Sequence, residues 1–442
     1  RGVSLLKLRF GWGQLGNNRI GNFAYKDFVS GSDLYVYGSG LPAIKPGMNI
    51  SQFGNKDIRW ERTESIGPGL DFNMFNNRFT SSFDLFVKDT HDMLINVPIV
   101  YSAGIATAPM QNAGSVRNAG YEVQISYRDR IGKFGYEIGG NITQVKNEVT
   151  SLGAVGEPVY GGNLGSPNEL GYINKTVVGA PIAGYYGWKT AGIMTESDFN
   201  ENGSPIAPVF ASGSTYSPGD MKFVDVNNDG VIDDNDRTFI GTPHPDFFYG
   251  FNIRLAYGNF ELSGFFQGVY GNQLYDVTGY FRYSTVRYDG VWDINEATSF
   301  SNVASDYFDK VWRPAPNPDV PEYRDYWGAN LDGKVPIPSS DGTKNKMNFR
   351  NSDFYIKDGS YLRLKNVQLT YTVPQKITNR LQLRNAKIYV SGTNLLTFTS
   401  YDGLDPEIGK TIGQEGNNLY IGIDQGIYPQ ARSYMFGLIV DF

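Results

Sequence analysis

The sequence contains no cysteine in its 442 residues and only two histidines, His91 and His244. Without thiols the chain can form neither disulfides nor thiolate metal sites. Neither histidine belongs to a serine-containing elbow motif or has a second histidine four residues away, as a zinc-binding helix would. We therefore expect each histidine to make hydrogen bonds in a turn or loop, and the chain is not predicted to be an enzyme.

Long hydrophobic runs and concentrated positive charge are also missing. The most apolar segment, VPIVYSAGIATAPM at residues 97–110, contains two prolines and a glycine, so no transmembrane helix is expected. The net charge is −6 and no basic stripe is present, so nucleic acid is not an expected partner. The first residues, RGVSLLKLRF, lack the features of a signal peptide and are typical of a strand. The chain is therefore expected to be part of a longer protein.

Tyrosine, phenylalanine and glycine are abundant instead, with 30, 28 and 53 residues. These residues are typical of strands and turns rather than helices. Alternation of apolar and polar side chains at every second residue predicts about ten strands. They lie near residues 5–13, 60–74, 78–88, 120–128, 134–146, 247–257, 260–270, 361–373, 386–398 and 432–442.

The connections between these strands alternate between short and long. The short turns lie at residues 76–77, 129–133, 258–259 and 374–385, the last with one predicted helical turn. The long loops span roughly residues 14–59, 89–119, 147–246, 271–360 and 399–431. In an up-and-down meander, alternate connections lie at the same end of the sheet, so all the long loops share one end. This asymmetry is typical of outer-membrane barrels, and a soluble sandwich does not require it.

The segment GYEVQISYRD at residues 120–129 shows the two expected faces of such a barrel. In a membrane barrel the apolar side chains face lipid and the polar side chains line a water-filled lumen. The side chains predicted to face lipid are Tyr121, Val123, Ile125 and Tyr127. The side chains predicted to face the lumen are Glu122, Gln124 and Arg128.

Aromatic residues at strand ends support the membrane interpretation. In the strand at residues 247–257, Tyr249 and Tyr257 bracket an aliphatic centre, as the aromatic girdles of a membrane barrel would. The last predicted strand ends the chain on Phe442, with Tyr434, Phe436, Leu438 and Val440 on the same face. A terminal aromatic strand resembles the assembly signal of outer-membrane barrel proteins.

The segment DVNNDGVIDDND at residues 225–236 has the spacing of a calcium-binding loop. Oxygen-bearing side chains fall at positions 1, 3, 5, 9 and 12, a glycine falls at position 6, and position 7 can offer its carbonyl. The predicted calcium ligands are Asp225, Asn227, Asp229, Val231, Asp233 and Asp236. Position 12 is aspartate, as in dockerin-type loops, which favours a structural Ca²⁺ site. The alternative is an acidic turn neutralised by water and counter-ions.

Aromatic residues in the long loops are candidates for stacking on sugars, with packing between loops as the alternative. They are Tyr160, Tyr185, Tyr186, Trp188, Trp292, Trp312, Tyr326 and Trp327. Nothing in the sequence alone selects among them, so no substrate-binding residue is predicted.

Seven segments in order resemble the C-terminal barrel half of SusC/RagA-type TonB-dependent transporters. They include LKLRFGWGQLGNNRIGNFAY, NAGSVRNAGYEVQISYRD and DGSYLRLKNVQLTYTVP. The seven segments lie at residues 6–25, 58–94, 112–129, 219–252, 265–276, 358–374 and 389–407. The resemblance runs from one end of the chain to the other.

The resemblance implies an all-β, antiparallel transmembrane barrel in the outer membrane of a Gram-negative bacterium of the Bacteroidetes type. Residues 1–442 would supply about ten C-terminal strands of a 22-stranded barrel, with the plug domain and N-terminal strands outside this chain. The implied function is energised import of a nutrient, an oligosaccharide or a peptide. The implied partners are a SusD-like surface lipoprotein, TonB and membrane lipid, with a dimer of SusC–SusD pairs as a further expectation.

Two alternatives from other functional classes stay open on the sequence alone. The first is a passive porin or structural barrel, which would need no plug and no energy coupling. The second is a soluble β-rich glycan-binding module, which would be extracted without detergent. The transported substrate is not defined by the sequence.

Overall fold

The computed structural model describes most of the chain, with gaps in the long loops. The described residues are 2–18, 20, 22–37, 43–96, 110–153, 156, 158–163, 171–210, 215–283, 286–287, 299–300, 304–314, 328–337, 347–409 and 419–442.

Ten long strands form one antiparallel sheet in which each strand pairs with its neighbours in chain order. We number them β1 to β10. They are β1 Val3–Asn17, β2 Glu61–Met74, β3 Phe79–Asn96, β4 Met110–Ile131, β5 Phe134–Ser151, β6 Phe247–Tyr257, β7 Phe260–Tyr270, β8 Tyr361–Thr372, β9 Asn385–Thr399 and β10 Ser433–Asp441. The predicted number and order of the strands are confirmed. The arrangement is the up-and-down meander of a barrel wall.

The tight turns at one end of the sheet use backbone conformations that favour asparagine and glycine. Asn76 and Asn77 have φ angles of 57° and 62°, and Gly132 and Gly258 have 61° and 60°. These residue types tolerate positive φ, which a tight hairpin requires. A short α-helix, Gln375–Arg380, occupies the fourth connection, as the sequence predicts.

The strands β3 to β5 extend farther toward the long loops than alternation predicts. β3 ends at residue 96, β4 begins at residue 110 and β5 ends at residue 151. The alternation pattern places these boundaries at residues 88, 120 and 146. The predicted loop at residues 89–119 is therefore wrong, and the connection narrows to residues 97–109, which lie outside the described residues. Polar residues occupy both faces of these extensions, so alternation disappears. The backbone ladder nevertheless continues, and Asp89 pairs with Arg117 across β3 and β4.

The register of the ladder assigns every strand the same two faces. Because paired residues point to the same side of a sheet, a row of partners shares one face. One such row is Lys7, Asp71, Ser82, Gln124, Asn141, Gly250, Gln267, Arg363 and Thr397. The adjacent row is Leu8, Leu70, Phe83, Val123, Ile142, Tyr249, Gly268, Leu362 and Phe398. One face of the sheet is therefore polar and the other apolar.

The apolar face is not covered by protein at its edges and carries a row of aromatic residues at its short-turn end. Leu8 and Phe436 are 82% and 71% exposed. Near the short turns, Phe134, Tyr257, Phe260 and Tyr371 pair in one register row, as in the aromatic girdle of a membrane barrel.

The described parts of the long connections fold together above the sheet, and we call the described residues within 152–246, 271–360 and 400–432 the loop assembly. Their secondary structure is short and has no clear periodicity, so the sequence did not predict it. The strands among the described residues are Val159–Asn163, Tyr172–Thr176, Gly184–Gly187, Thr190–Ile193, Val209–Phe210, Met221–Phe223, Val231–Ile232, Thr238–Gly241, Gln273–Asp276, Val286–Arg287, Ser299–Phe300, Ile356–Asp358 and Ile423–Asp424. The loop assembly also contains the α-helices Val277–Tyr283 and Tyr307–Lys310 and the 3-10 helices Glu196–Asp198, Asp234–Asp236 and Asp353–Tyr355.

Outside the loop assembly, the strands Phe28–Tyr37 and Ala43–Gln52 form a hairpin between β1 and β2. Among the described residues, no helix is both long and apolar enough to cross a membrane.

The loop assembly has its own core and covers part of the polar face of the sheet. Tyr185, Tyr275 and Ile423, one from each of three long connections, are fully buried in one cluster. On the polar face, Arg363 of β8 is only 2% exposed because Asp405, from the loop after β9, pairs with it at 2.5 Å. The loops therefore fold over the polar side of the sheet and leave apolar side chains exposed on the other.

Candidate functional site

The predicted calcium loop lies between the strands Met221–Phe223 and Thr238–Gly241 of the loop assembly. Its first turn is closed by Asp225, whose carboxylate accepts the amide hydrogens of Asp229 at 3.3 Å and Gly230 at 2.8 Å. Gly230 has a φ of 88°, a conformation that glycine adopts without strain. The glycine at position 6 therefore makes the sharp turn that the sequence predicts.

The middle of this loop is exposed. The Asn227 Oδ1 atom accepts the Asp229 amide at 3.0 Å, and the Asn227 Nδ2 atom donates to Asp229 Oδ2 at 2.9 Å. The other Asp229 oxygen accepts the amide of Val231 at 2.9 Å. Val231 itself begins a short parallel strand pair with Val209.

The end of the loop is buried and fixed. Asp233 caps the 3-10 helix Asp234–Asp236, and the Asp236 carboxylate is fully buried. The two Asp236 oxygens accept amide hydrogens from Val226 and Asp233, both at 2.8 Å. The indole of Trp188 donates to the carbonyl of Asp233 at 2.8 Å, which anchors the loop to the assembly core.

The oxygen atoms of this loop suit a hard cation as ligands, and backbone amides donate hydrogen bonds to its carboxylates. Carboxylate and amide oxygens are the ligands that Ca²⁺ takes. In the part of the chain that the structure describes, however, no three His, Cys, Asp or Glu side chains converge as a metal-binding group. A bound ion would require Asp225, Asp229 and Asp233 to turn toward a common point.

The structure separates the aromatic candidates into buried and accessible side chains. Tyr185, Trp188 and Trp312 are at most 4% exposed and pack within the loop assembly. Tyr160 is 38% exposed, and Tyr186 is half-buried beside it. The remaining candidates, Trp292, Tyr326 and Trp327, lie outside the described residues. Packing between loops therefore accounts for three of these aromatics, and Tyr160 and Tyr186 stay available to a ligand.

The histidines occupy different settings. His244 lies in a loop with its Nε2 atom 2.7 Å from the carbonyl of Ile182. Burial lowers the pKa of His244 below its usual value, and this hydrogen bond opposes the shift. His91 lies inside β3, where it pairs with Arg62, rather than in a turn.

The sequence did not reveal an ion cluster on the polar face of the sheet. Arg9 of β1 contacts Asp71 of β2 at 2.9 Å and Asp84 of β3 at 2.8 Å, with Ser82 also accepting a hydrogen bond. Period-two alternation places each of these residues on the polar face of its own strand. Only the strand register brings them together.

The fold and sequence match a known family and several known proteins. A family model described as "TonB dependent receptor-like, beta-barrel" matches residues 6–257. The TonB-dependent receptor P3 of Formosa agariphila is 29% identical over 447 aligned residues, which cover all of this chain and 40% of the relative. The TonB-dependent receptor SusC of Bacteroides thetaiotaomicron is 27% identical and is covered over 38% of its length.

The fold also matches a solved structure of the RagAB peptide transporter, with a TM-score of 0.72 and 22% identity. The alignment covers all of this chain and 41% of that chain. This chain thus spans about two fifths of the length of the relatives that it matches. The chain belongs to the TonB-dependent receptor β-barrel family, whose members are outer-membrane transporters and not enzymes.

Proposed function

We propose that the protein to which this chain belongs imports an oligosaccharide across the outer membrane with energy supplied through TonB. This chain would form the C-terminal part of its barrel. The plug domain, the TonB-contacting segment and the remaining strands would lie outside these 442 residues. Membership of the TonB-dependent receptor family supports the proposal, as does the similarity of this whole chain to 38% of the length of SusC.

The observation that carries this proposal is the cover that the loop assembly makes over the polar face. Arg363 is buried there between Asp405 and Glu407, which come from a single loop. A passive porin leaves an aqueous channel open along this face. A cover of co-folded loops suits a transporter that holds its substrate above the lumen before import.

The test is uptake of fluorescently labelled oligosaccharides by cells that carry the intact gene. Uptake that requires both this protein and TonB is the expected result. Uptake that persists when TonB is deleted would favour the passive porin. Uptake of peptides in place of oligosaccharides would contradict the proposed substrate class.

A SusD-like surface lipoprotein is the proposed partner above the loop assembly, and the complex would be a dimer of such pairs. The resemblance to SusC/RagA-type transporters supports this proposal. Gentle detergent extraction of the intact protein should yield a complex that contains the lipoprotein, with a mass that fits two copies of each chain. Purification of the barrel alone in several mild detergents would contradict it.

We also propose that residues 225–236 bind Ca²⁺ and thereby stiffen the loop assembly. The donor set and the turn at Gly230 support the proposal. A loop with several carboxylates carries negative charge that a bound cation would neutralise, and this repulsion supports the proposal.

The calcium proposal is tested by replacing Asp225 and Asp229 together with alanine. Bound calcium, measured by mass spectrometry of the purified protein, should fall, and the loop should become more sensitive to protease. Asp234→Ala is the matched control, because Asp234 is an exposed acid of the same loop outside the ligand pattern. Unchanged calcium content in the double variant would disprove the site, and unchanged protease sensitivity would disprove its role.

A further inference from the structure

A four-stranded sheet in the loop assembly presents an aromatic surface. Its strands, in spatial order, are Thr238–Gly241, Gly184–Gly187, Tyr172–Thr176 and Val159–Asn163. Each strand contributes one aromatic ring, and these four rings, which we call the aromatic face, contact in series. The rings of the aromatic face are Tyr172, Tyr160, Tyr186 and Phe239.

The aromatic face is open, although neighbouring residues of the same sheet are buried. Tyr172 is 44% exposed, and Tyr160 and Phe239 are each 38% exposed. Tyr185, which precedes Tyr186 in the chain, is fully buried in the core. The successive ring centroids lie 5.7, 6.5 and 5.7 Å apart. The rings are tilted by 45°, 64° and 69° to one another, so they form a row of tilted and edge-to-face contacts in which three rings are open to solvent.

Two cations lie over these rings. The ammonium group of Lys175 lies 3.9 Å from the centroid of the Tyr186 ring and 5.5 Å from that of Tyr160. The guanidinium group of Arg237 lies 5.0 Å from the Tyr186 centroid and 4.9 Å from that of Trp188. Cation–π contacts of this length favour positions of both charges beside the rings.

The two cations differ from some others of the loop assembly in lacking an acidic partner among the described residues. Lys310, for example, pairs with Asp306 at 2.8 Å. Within the described ranges, neither Lys175 nor Arg237 has a carboxylate at ion-pair distance, and the Arg237 Nη2 atom makes only a 3.4 Å contact with the carbonyl of Tyr172. Among the described residues, no acidic group neutralises the positive charge that the aromatic face carries.

We propose that the aromatic face binds an acidic oligosaccharide, one that bears carboxylate or sulfate groups. The C–H groups of a sugar ring would pack on Tyr160 and Tyr172, while its anionic group would contact Lys175 and Arg237. Charged hydrogen bonds of this kind are stronger than neutral ones, and Arg suits both carboxylate and sulfate. This inference rests on the proposed function and specifies its substrate class.

The geometry favours a sugar over an acidic peptide. An extended peptide usually binds by adding a strand to the edge of a sheet, where the backbone supplies the hydrogen bonds. In the aromatic face, the groups that a ligand can reach are aromatic rings and cations, not the backbone groups of a sheet edge. An acidic peptide is therefore the competing outcome of the test.

The test is isothermal titration calorimetry with the full-length transporter in detergent. The probes are galacturonate oligosaccharides, sulfated dextran oligosaccharides, neutral malto-oligosaccharides and hexaglutamate. We expect binding by one or both anionic sugars, weakened by salt, and no binding by the neutral sugar. The two anionic probes distinguish a carboxylate ligand from a sulfate ligand.

Three variants test whether the anionic sugar binds at the aromatic face. Lys175→Gln and Arg237→Gln should each raise the Kd about tenfold, the loss expected for one charged hydrogen bond. Tyr160→Ala should also weaken binding, whereas Lys334→Gln, an exposed lysine of another loop, should not change it. Circular dichroism of each variant will verify folding, and Tyr160→Ala leaves the cations in place if a cation variant misfolds.

Several results would overturn the inference. These are no binding of either anionic sugar, equal binding of the neutral sugar, unchanged affinity in all three variants, or binding of hexaglutamate alone. Binding to purified protein requires no energy source. A transporter that binds the acidic sugar through this face but whose uptake does not depend on TonB would therefore contradict the proposed function and leave this inference intact.

Discussion

The ten-stranded sheet and the loop assembly place the same residue types in opposite positions. On the sheet, apolar side chains such as Leu8 and Phe436 are 82% and 71% exposed at the protein surface. In the loop assembly, Tyr185 and Tyr275 are fully buried. The sheet turns its apolar side chains toward the lipid of the outer membrane, whereas the loops must remove theirs from water.

Charged residues differ between the two regions as well. The ion pairs on the polar face of β1 to β3 stay partly exposed, as with Arg9, whose side chain is 35% exposed. Where the loops cover the sheet, Arg363 and Asp405 are 3% and 7% exposed in their side chains. An exposed pair contributes little to stability, but removal of one partner from a buried pair is costly. The junction between the two regions should therefore be the most sensitive to substitution.

The largest effect is expected for Arg363→Met, which leaves the Asp405 carboxylate buried without its partner. Burial raises the pKa of Asp405, but hydrogen bonds, chiefly from Arg363, overcome that effect and hold the pKa below its usual range. Loss of one partner of a buried pair costs about 3–5 kcal/mol. The free energy of unfolding in detergent and protease cleavage within residues 400–409 would measure it. The control is Arg254→Met, whose pair with Glu261 is exposed, and an equal loss in both variants would contradict the prediction.

A charge on the lipid face should have the next largest effect. Val123→Arg should destabilise the barrel by about 2–4 kcal/mol near the bilayer midplane, because the charge would enter lipid. Gln124→Arg, on the polar face one residue away, should have little effect. Unfolding of both variants in lipid vesicles provides the comparison. Equal losses, or a larger loss for Gln124→Arg, would mean that the assignment of the two faces is reversed or wrong.

A smaller effect is expected inside the loop assembly for Tyr185→Phe. The Tyr185 hydroxyl donates to the carbonyls of Gln273 and Gly422, at 3.0 and 2.8 Å, and so joins three long connections. Its loss should cost about 1 kcal/mol and increase hydrogen exchange in the loops. Tyr160→Phe, at an exposed position, should leave exchange unchanged. Unaltered exchange in Tyr185→Phe would show that this hydroxyl does not link the connections.

The smallest effect concerns acid pH and the Asp306–Lys310 pair. The hydrogen bond from Lys310 lowers the pKa of Asp306 below its usual 3.8. The pair therefore stabilises the loop above about pH 3.8 and loses this contribution as the pH falls through the folded-state pKa. Because the pair is partly exposed, its contribution should stay below ~1 kcal/mol. The protection factors of the amides of residues 304–314, taken relative to intrinsic exchange at each pH, should fall below pH 4 in the native protein. Asp306→Asn should already show the lower protection at neutral pH. A fall of equal size in that variant below pH 4 would exclude this pair as the cause.

Periodicity predicted the sheet because each strand carries its own signal. Alternation defined the apolar face of β4 from Tyr121 to Tyr127, and the positive φ of Asn76 and Asn77 fits the turn that their residue types predict. The same signal failed beyond residue 88 of β3. There both faces carry polar residues, and only pairing with β4 defines the strand.

The calcium loop and the aromatic face show what residue spacing in the sequence can predict and what it cannot. The turn at Gly230 could be predicted because the whole ligand pattern lies within twelve consecutive residues. The division between buried Tyr185 and accessible Tyr186 could not, since adjacent tyrosines look alike in sequence. Their difference depends on Tyr275 and Ile423, which lie more than 85 residues away in the chain and pack against one of them only.

The sequence by itself determined the barrel strands, their order, the lipid-facing side and the family, because alternation and short turns act over a few residues. Only the tertiary structure decided how the long loops fold, which charges on the polar face meet, and which aromatic rings remain open to a ligand. These features arise from contacts between segments far apart in the chain, such as Arg363 with Asp405. Such contacts leave no periodic pattern, because each residue is selected by a partner that the local sequence does not contain.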